Sequence, residues 1–328
     1  MEESNLRIVF MGTPEFAVPS LYALAEAGMK PVLCVSQPDK PQGRKREILP
    51  TPVHEAADRL GIPCIQPIKV KNRAFLKAIA EARPDFIVTA AYGRILTSAV
   101  LALPRIAPVN VHGSLLPKYR GASPVQAALI NGDKETGVSI LRMTEAMDAG
   151  GVYTQSEFTI PEGMRADELM TGLASLGAEI LPQTLLRIAE GDLEAVPQDE
   201  SQASYVSLLS RVSGWVDWQM SAQRIVGLIR GCYPWPAAFA SFAGKRVKLL
   251  QAFAFREDAV ELPEDILNDS APGTILSTMG KKLWIRCGTG ILCLTELQSA
   301  GSRAMSSADC AHNFRPGQRF MAGELLHE

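Results

Sequence analysis

The first half of the chain alternates short apolar runs with helical stretches, and this alternation limits the possible folds more than any other feature. Runs such as Arg7–Met11 and Asp85–Ala90 are short and apolar, which predicts buried β-strands. Strands that alternate with helices indicate an α/β fold, here a Rossmann-like parallel sheet with helices on both faces. We expect Thr13 to cap the first helix and Pro14 to occupy its first turn. The predicted strands are 7–11, 31–36, 85–90, 107–111 and 137–143, and the predicted helices are 14–27, 52–60, 72–82 and 165–190.

The pattern changes in the last third of the chain. A predicted helix over 221–231 precedes several short β-rich runs, most of them separated by Gly or Pro. Short strands at this spacing predict a small antiparallel β-barrel. We therefore expect a first domain over 1–190, an extended polar linker over 191–209 and a barrel domain over 210–328. The β-rich runs are 237–243, 246–253, 273–277, 282–287 and 290–298.

The bulk properties exclude several classes of protein. The 328 residues are 47% hydrophobic, which is enough for a sizeable core in each of two domains. No apolar run approaches the roughly 18 residues of a membrane span, and Met1–Asn5 does not resemble a signal peptide. We therefore expect a cytoplasmic protein with no membrane partner. The six cysteines lack C-x-x-C spacing and are expected to be reduced, and the net charge of −2 gives no support for nucleic-acid binding by the chain as a whole.

One histidine differs from the other three in its predicted position. His112 ends a predicted parallel strand, at the edge where open α/β sheets bind their ligands. Asn110 lies two residues earlier, on the same face of the strand. Asp148 follows the predicted strand 137–143 and can reach the same edge. On their own, these three residues fit either a hydrogen-bonded cluster or a catalytic site, and their spacing does not predict a metal site.

Longer motifs around these residues decide between the two interpretations. They resemble the folate-dependent formyltransferase superfamily, and within it the enzymes that act on charged tRNA. The resemblance extends from about residue 6 to residue 325. The motifs that carry it are Phe10–Phe16, Ser36–Asp39, Ala91–Arg94, Asn110–Pro117, Arg120–Gly121 and Met147–Gly150.

The resemblance implies a formyl donor, an acceptor and three catalytic roles. The donor is 10-formyltetrahydrofolate, which leaves as tetrahydrofolate, and the acceptor is the α-amine of methionine on charged initiator tRNA, for translation initiation. Asn110 would stabilise negative charge on the formyl oxygen, and His112 would move protons between the two nitrogens. Asp148 would orient His112. No metal is required.

Folate is expected to lie along a loop that follows His112. The first turn, Gly12–Ala17, lacks the G-x-G-x-x-G pattern of a dinucleotide site, which argues against a nicotinamide cofactor. For Leu115 and Leu116, ordinary anchoring of the loop is the alternative interpretation. By resemblance, the folate-binding residues are Ser114, Leu115, Leu116 and Pro117, with backbone groups at Arg94, Leu96, Thr144, Ala146 and Met147 around the pterin ring.

Two basic regions are candidates for contact with tRNA. The segment 36–52 is longer than the usual connection from strand to helix, and its basic residues could bind phosphates. Solvated surface charge is the alternative. The resemblance implies that this loop reaches the acceptor end of tRNA, with Arg44 the best candidate, and that the barrel resembles an oligonucleotide-binding (OB) fold. The candidates are Lys40, Arg44, Lys45 and Arg46 in the loop and Lys245, Arg246 and Lys248 in the barrel.

Two other functions remain open from the sequence. A formyltransferase whose acceptor is a small amine, such as a nucleotide sugar or glycinamide ribonucleotide, would use the same three residues. A non-catalytic binding protein could share the fold, although the intact trio argues against it. We expect a monomer.

Overall fold

The computed structural model describes residues 6–42, 47–260 and 269–321. Its contacts divide the chain into two compact units, neither of which is continuous in sequence. The first unit extends to Pro124 and also contains Glu135–Thr159 and Met170–Val206. The second unit contains Val125–Lys134, Ile160–Leu169 and the chain from Ser207 onward.

In the described residues of the first unit, seven strands form a mixed sheet in the order β10-β9-β7-β6-β1-β2-β5. The strands from β7 to β5 pair in parallel, as the sequence predicts. Both β1 and β6 are buried along their whole length, which is typical of a parallel sheet covered on both faces. The strands of this unit are β1 (Ile8–Gly12), β2 (Leu33–Val35), β3 (Lys40–Gln42), β4 (Glu47–Leu49), β5 (Cys64–Ile65), β6 (Phe86–Ala90), β7 (Ala107–His112), β8 (Arg120–Gly121), β9 (Glu135–Arg142), β10 (Val152–Thr159) and β11 (Tyr205–Val206).

Helices cover both faces of this sheet. On one face, Val9 and Ile87 belong to a core cluster with Phe75 and Val100 of two helices. On the other face, Gly177 of a long helix lies against Val111 and its neighbours. The predicted α/β architecture is therefore confirmed. Among the described residues, the α-helices are α1 (Val18–Glu26), α2 (Pro52–Arg59), α3 (Arg73–Glu81), α4 (Ser98–Leu101), α5 (Pro124–Asn131), α6 (Ala166–Glu190), α7 (Ala222–Gly231) and α8 (Ser307–Cys310).

Two details of the first unit differ from the sequence prediction. The expectation that Thr13 caps the first helix is wrong, because its hydroxyl donates to the carbonyl oxygen of Tyr92 (3.0 Å). A 3₁₀ turn over Glu15–Ala17 comes first, and α1 begins at Val18. In addition, β9 and β10 pair in the antiparallel direction, which the predicted parallel sheet did not specify.

Asp85 lies immediately before β6 and connects the start of this strand to neighbouring segments of the chain. Its carboxylate accepts hydrogen bonds from the backbone N–H of Arg7 (2.9 Å) and from Nε of Arg105 (2.7 Å). Burial alone would raise the pKa of Asp85, but these hydrogen bonds together lower it. The charged form therefore stabilises the folded state.

The second unit contains a curled antiparallel sheet in the order β12-β13-β16-β15-β14, with β17 paired to β16. The five predicted β-rich runs match five of these strands. Both edge strands also bind the same short segment. The backbone of Met321 pairs with Ser241 on β12, and the carbonyl of Gln318 accepts from the N–H of Ile275 on β14. The strands are β12 (Ala238–Phe242), β13 (Lys245–Phe255), β14 (Ile275–Ser277), β15 (Leu283–Arg286), β16 (Ile291–Ser299) and β17 (Met305–Ser306).

The core of this unit joins the sheet to α7. Ser221 caps α7 by accepting a hydrogen bond from the N–H of Arg224. The helix places Ile225 and Ile229 against buried residues of β13 and β16. Gly227 and Gly231 allow a close approach to α5, because a Cβ at either position would lie within 3 Å of its backbone. Segment 125–134 therefore packs as part of the second unit.

The remaining global expectations concern membranes and thiols. Across the three described ranges, none of the helices has the length and apolar character needed to span a bilayer. All six cysteines are free, and five of them are buried. Burial raises the pKa of each, for example that of Cys287 to about 12, which makes these thiols poor nucleophiles.

Candidate active site

Asn110 lies in β7 beside Thr89 of β6, and the two residues are partners in the parallel register. The hydroxyl of Thr89 donates to Oδ1 of Asn110 (2.7 Å), and Nδ2 of Asn110 donates to Oδ1 of Asp148 (3.4 Å). These two contacts agree on the orientation of the amide, because its oxygen can only accept and its nitrogen can only donate. Asn110 therefore presents an N–H donor at the end of the strand.

His112 is 6% exposed, and each of its ring nitrogens faces a different partner. Its Nε2 lies 3.0 Å from the carbonyl oxygen of Tyr119. A carbonyl can only accept, so Nε2 carries the hydrogen in the neutral ring. The unprotonated Nδ1 then lies 3.6 Å from Oδ2 of Asp148. Nδ1 is the nitrogen that can take up a proton, and the carboxylate beside it stabilises the positive charge that results.

Asp148 belongs to the long connection between β9 and β10. It has a φ of +52°, a conformation that residues other than glycine rarely adopt. Its Oδ2 accepts a hydrogen bond from the backbone N–H of Gly121 (2.8 Å). The close turn also needs Gly150, where a Cβ would lie 1.8 Å from the carbonyl oxygen of Arg142. Sterically demanding backbone thus fixes the carboxylate between Asn110 and His112.

The three predicted catalytic side chains therefore meet, although the route of the chain differs from the expected one. We expected Asp148 to follow the predicted strand 137–143 and to reach the same sheet edge as His112. Instead, β9 is antiparallel to β7, and Arg142 pairs with Val109. The loop leaves the sheet at that level and lies over the face that carries Asn110, since Met143 Sδ contacts the hydroxyl of Thr89 (3.2 Å).

The loop predicted to hold folate is built around its own hydrogen bonds. Ser114 is fully buried, and its hydroxyl donates to the carbonyl oxygen of Lys118 (2.6 Å). Ser139 accepts from the N–H of Leu116 and donates to the carbonyl oxygen of Ser114. Gln155 donates to the carbonyl oxygen of Leu116 (2.9 Å). Ser114 and Leu116 are both buried, and the hydroxyl of Ser114 together with the backbone of Leu116 maintains the shape of the loop.

The other residues predicted to bind folate differ in their exposure to solvent. Leu115 is half-buried over Gly137, which has no side chain to obstruct it. Leu96 is buried, whereas Arg94 and the segment 144–147 are exposed. Met147 and Ile95 expose 55% and 67% of their surface, which is unusual for large apolar side chains. Pro117 follows Leu116 through a cis peptide bond.

The basic residues predicted to bind tRNA lie in different settings. Arg44, Lys45 and Arg46 lie outside the described residues. Lys40 is exposed at the start of the β3–β4 hairpin and lines a cavity of about 380 Å³. This cavity also contains Thr13 and Gln37, which follow β1 and β2, so it opens at the carboxyl ends of parallel strands, where α/β sheets bind ligands.

Asp39 fixes the base of that hairpin. Its carboxylate accepts hydrogen bonds from the N–H of Thr51 (2.9 Å), from Nε2 of Gln66 (2.6 Å) and from Nδ1 of His54 (3.1 Å). Desolvation would raise the pKa of Asp39, but the three hydrogen bonds together lower it. The hairpin is thereby attached to α2 and to the chain after β5.

The three basic candidates in the second unit lie at the start of β13. Lys245 is exposed and Lys248 is half-buried. The guanidinium of Arg246 lies 3.7 Å from the ring centroid of Phe239, a cation–π geometry. Arg246 therefore has a packing partner in addition to any ligand.

The sequence did not reveal several residues that support the trio. Thr89 and Gly121 contact it directly. In the sequence, Thr89 was only part of a predicted strand and Gly121 only part of a motif, so neither could be recognised as a supporting residue. No group of three or more His, Cys, Asp or Glu side chains in the described residues could hold a metal ion.

Comparison with known proteins identifies the family. A model described as formyl transferase matches residues 6–185, and a model described as formyl transferase, C-terminal domain, matches residues 209–315. The chain belongs to the formyl transferase family.

Named relatives and a solved structure refine this result. The chain is 41% identical to a methionyl-tRNA formyltransferase of Acetivibrio thermocellus over 95% of this chain and 99% of that protein. It is also 41% identical to one of Caldanaerobacter subterraneus, with the same coverage. An N-formyltransferase from Helicobacter canadensis, solved with folinic acid and dTDP-3-aminofucose, has a TM-score of 0.61 at 16% identity and covers 88% of this chain and 99% of its own. At that identity the last comparison supports the fold alone.

Proposed function

We propose that this chain transfers the formyl group of 10-formyltetrahydrofolate to the α-amine of methionine on charged initiator tRNA. The observation that carries the proposal is the meeting of Asn110, His112 and Asp148 in a chain that aligns almost end to end with methionyl-tRNA formyltransferases. This reaction gives the chain a role in translation initiation and one-carbon metabolism.

Asn110 stabilises the charge that develops during transfer. Its Nδ2 donor is oriented by Thr89, so no reorganisation is needed when the formyl oxygen becomes negative. Removal of one such donor in other acyl-transfer enzymes costs roughly 3 kcal/mol. The contact from Asn110 to Asp148 is long at 3.4 Å, which leaves the donor available to a stronger acceptor.

His112 moves the proton that the attacking amine must lose. Nδ1 accepts this proton, while Nε2 keeps its hydrogen bond to the carbonyl oxygen of Tyr119 (3.0 Å). The imidazolium then lies between a carbonyl oxygen and the carboxylate of Asp148, both of which favour its positive charge. Return of the proton to the departing folate nitrogen completes the exchange.

The residues present fit a folate donor. Bound there, 10-formyltetrahydrofolate supplies the activated formyl group. Residues around Arg94 and at 144–147 are exposed, so in this proposal their backbone groups form hydrogen bonds with the heterocycle, and Ile95 and Met147 offer exposed apolar surface. The loop from Ser114 to Pro117 would hold the donor through its fixed shape rather than through the buried side chain of Leu116.

The basic residues provide the contacts to tRNA in this proposal. Lys40 and Arg44 belong to the segment between β2 and α2, and Lys245 is the first residue of β13 in the curled sheet. In this proposal the first unit, whose last segment ends at Val206, carries the chemistry, and the second unit binds tRNA. All three catalytic side chains lie in one unit of a single chain, which is consistent with a monomer, and we place the protein in the cytoplasm.

A transfer assay with competing acceptors tests the proposal. Purified protein and 10-formyltetrahydrofolate are incubated with methionyl initiator tRNA, free methionine, an amino-sugar nucleotide or glycinamide ribonucleotide. We expect formylation of the charged tRNA to exceed that of every small amine by orders of magnitude in kcat/KM. Preferential formylation of a small amine would refute the acceptor, and failure with every acceptor would refute the enzyme.

A further inference from the structure

Arg120 is a buried cation whose partners all come from one distant segment. Its side chain is 1% exposed, and its five N–H groups donate five hydrogen bonds. Two go to Oε1 of Gln198, two to the carboxylate of Glu200 and one to the hydroxyl of Tyr205, all between 2.7 and 3.1 Å. The hydrogen bonds to Glu200 come first among the causes that raise the pKa of Arg120, so it stays charged. A buried guanidinium with every donor used has a single stable position.

Gln198 connects Arg120 to the candidate active site, because its side chain binds both. Its Oε1 accepts from Nε and Nη2 of Arg120, so its Nε2 must point away from the guanidinium. Nε2 donates to the carbonyl oxygens of Asp148 and Gly150, both at 2.7 Å. Arginine has no acceptor and a carbonyl has no donor, so the amide can adopt only this orientation.

The contact matters because Asp148 is in an unfavourable backbone conformation. Asp148 has a φ of +52°, a region that residues with a side chain seldom occupy, and such a conformation persists only where surrounding contacts hold it. The side-chain carboxylate has its own support from the N–H of Gly121. On the backbone of the turn, Gln198 supplies two hydrogen bonds from one side chain.

We propose that Gln198, itself held by Arg120, is a positioning residue that keeps Asp148 within reach of Nδ1 of His112. This inference rests on the proposed function for its kinetic consequences. Gln198 touches neither His112 nor Asn110 through any contact described above, so it acts through Asp148. A misplacement of about 1 Å in a catalytic group can cost about a hundredfold in rate. Loss of the two hydrogen bonds from Gln198 to the carbonyl oxygens of Asp148 and Gly150 should therefore lower kcat by about 10- to 100-fold.

The variant Gln198→Glu separates the contact of Gln198 with Arg120 from its contacts with the two carbonyl oxygens. A carboxylate still accepts from Arg120 but cannot donate to the two carbonyls. Gln202→Glu is the matched control, because Gln202 is exposed and its amide donates to Asp199 (2.7 Å). Gln198→Met, which keeps the approximate shape without polar atoms, guards against an effect peculiar to the new charge.

We expect Gln198→Glu and Gln198→Met to lower kcat by about 10- to 100-fold with both KM values within about twofold of wild type. Gln202→Glu should behave as wild type. In an Asp148→Ala background, Gln198→Glu should cause no further loss, because the residue through which it acts is absent. A kcat near wild type, or an equal loss in the Asp148→Ala background, would overturn the inference.

Hydrogen–deuterium exchange gives a readout that does not depend on activity. Amides of residues 143–151 should exchange faster in Gln198→Glu than in wild type or Gln202→Glu, because the turn loses two of its hydrogen bonds. Unchanged exchange there would also overturn the inference. If wild-type protein fails to formylate methionyl-tRNA, the proposed function fails, and the exchange experiment still decides the role of Gln198.

Discussion

Thr89 should set the activity of Asn110 without touching substrate. Thr89 is 3% exposed, and its hydroxyl donates to Oδ1 of Asn110 at 2.7 Å, a shorter contact than those to Val109 (3.4 Å) and Met143 (3.2 Å). Thr89→Val removes the hydroxyl and nearly preserves the shape. The amide of Asn110 then loses most of the preference for presenting Nδ2, since the contact to Asp148 at 3.4 Å is weak.

The magnitude follows from the free energy of a single hydrogen bond. A neutral hydrogen bond contributes about 0.5–1.5 kcal/mol net, which corresponds to a factor of about 2–12. We therefore expect kcat to fall by about fivefold in Thr89→Val. In Asn110→Ala, which removes the donor, kcat should fall by roughly 10²- to 10³-fold, and this loss sets the upper limit for the effect of Thr89→Val.

The assay is single-acceptor formyl transfer at saturating folate, with Thr89→Ser as the control that keeps the hydroxyl. Thr89→Ser should stay within about twofold of wild type in kcat, since its donor remains. The reasoning is refuted if Thr89→Val matches wild type, or if Thr89→Ser is as slow as Thr89→Val. Thermal midpoints of both variants must be reported, because a loss of folded protein would imitate a loss of kcat.

Three further predictions concern the trio, the basic loop and acid stability. His112→Ala, Asn110→Ala and Asp148→Ala should each lower turnover by at least about a hundredfold, and double variants should lose much less than the product, as measured by transfer kinetics. Arg44→Ala should reduce the slope of log affinity for charged tRNA against log salt by about 0.7–0.9, with folate binding unchanged. The pKa of Asp85 in the folded state lies below its unfolded value of about 3.9. Its contribution to the free energy of unfolding is therefore fully present above the unfolded pKa and is lost as pH falls through the folded pKa. In urea unfolding between pH 7 and pH 3, the free energy of unfolding should therefore decline less steeply for Asp85→Asn than for wild type.

The sequence predicted those elements whose burial is nearly complete. The strands β1 and β6 are buried at every position, and such runs have few alternatives to a parallel sheet. Asn110 and His112 could be placed together because a strand alternates its side chains with a period of two. The same pattern carries no information on strand direction. For this reason the antiparallel pairing of β9, and with it the true path to Asp148, could not be predicted.

Contacts between distant segments account for most of what the sequence could not reveal. Gln198 and Glu200 lie in a polar stretch that reads as a solvated linker, yet they bind Arg120 across 78 and 80 positions in the chain. Thr13 has the composition of a helix cap but donates to Tyr92 instead. A polar side chain near a turn has several local partners available, and only the tertiary structure decides among them.

The trio alone cannot decide which amine receives the formyl group. Asn110, His112 and Asp148 act on the formyl oxygen and the attacking nitrogen, which are common to every acceptor in the family. Preference for tRNA must therefore come from binding energy that remote parts of the acceptor supply. Asp39 matters here, because three hydrogen bonds to its carboxylate fix the hairpin that begins at Lys40 against α2 and the chain after β5. A basic segment with a fixed base can position a polyanion relative to the sheet that carries the trio, whereas a small amine would gain little from it.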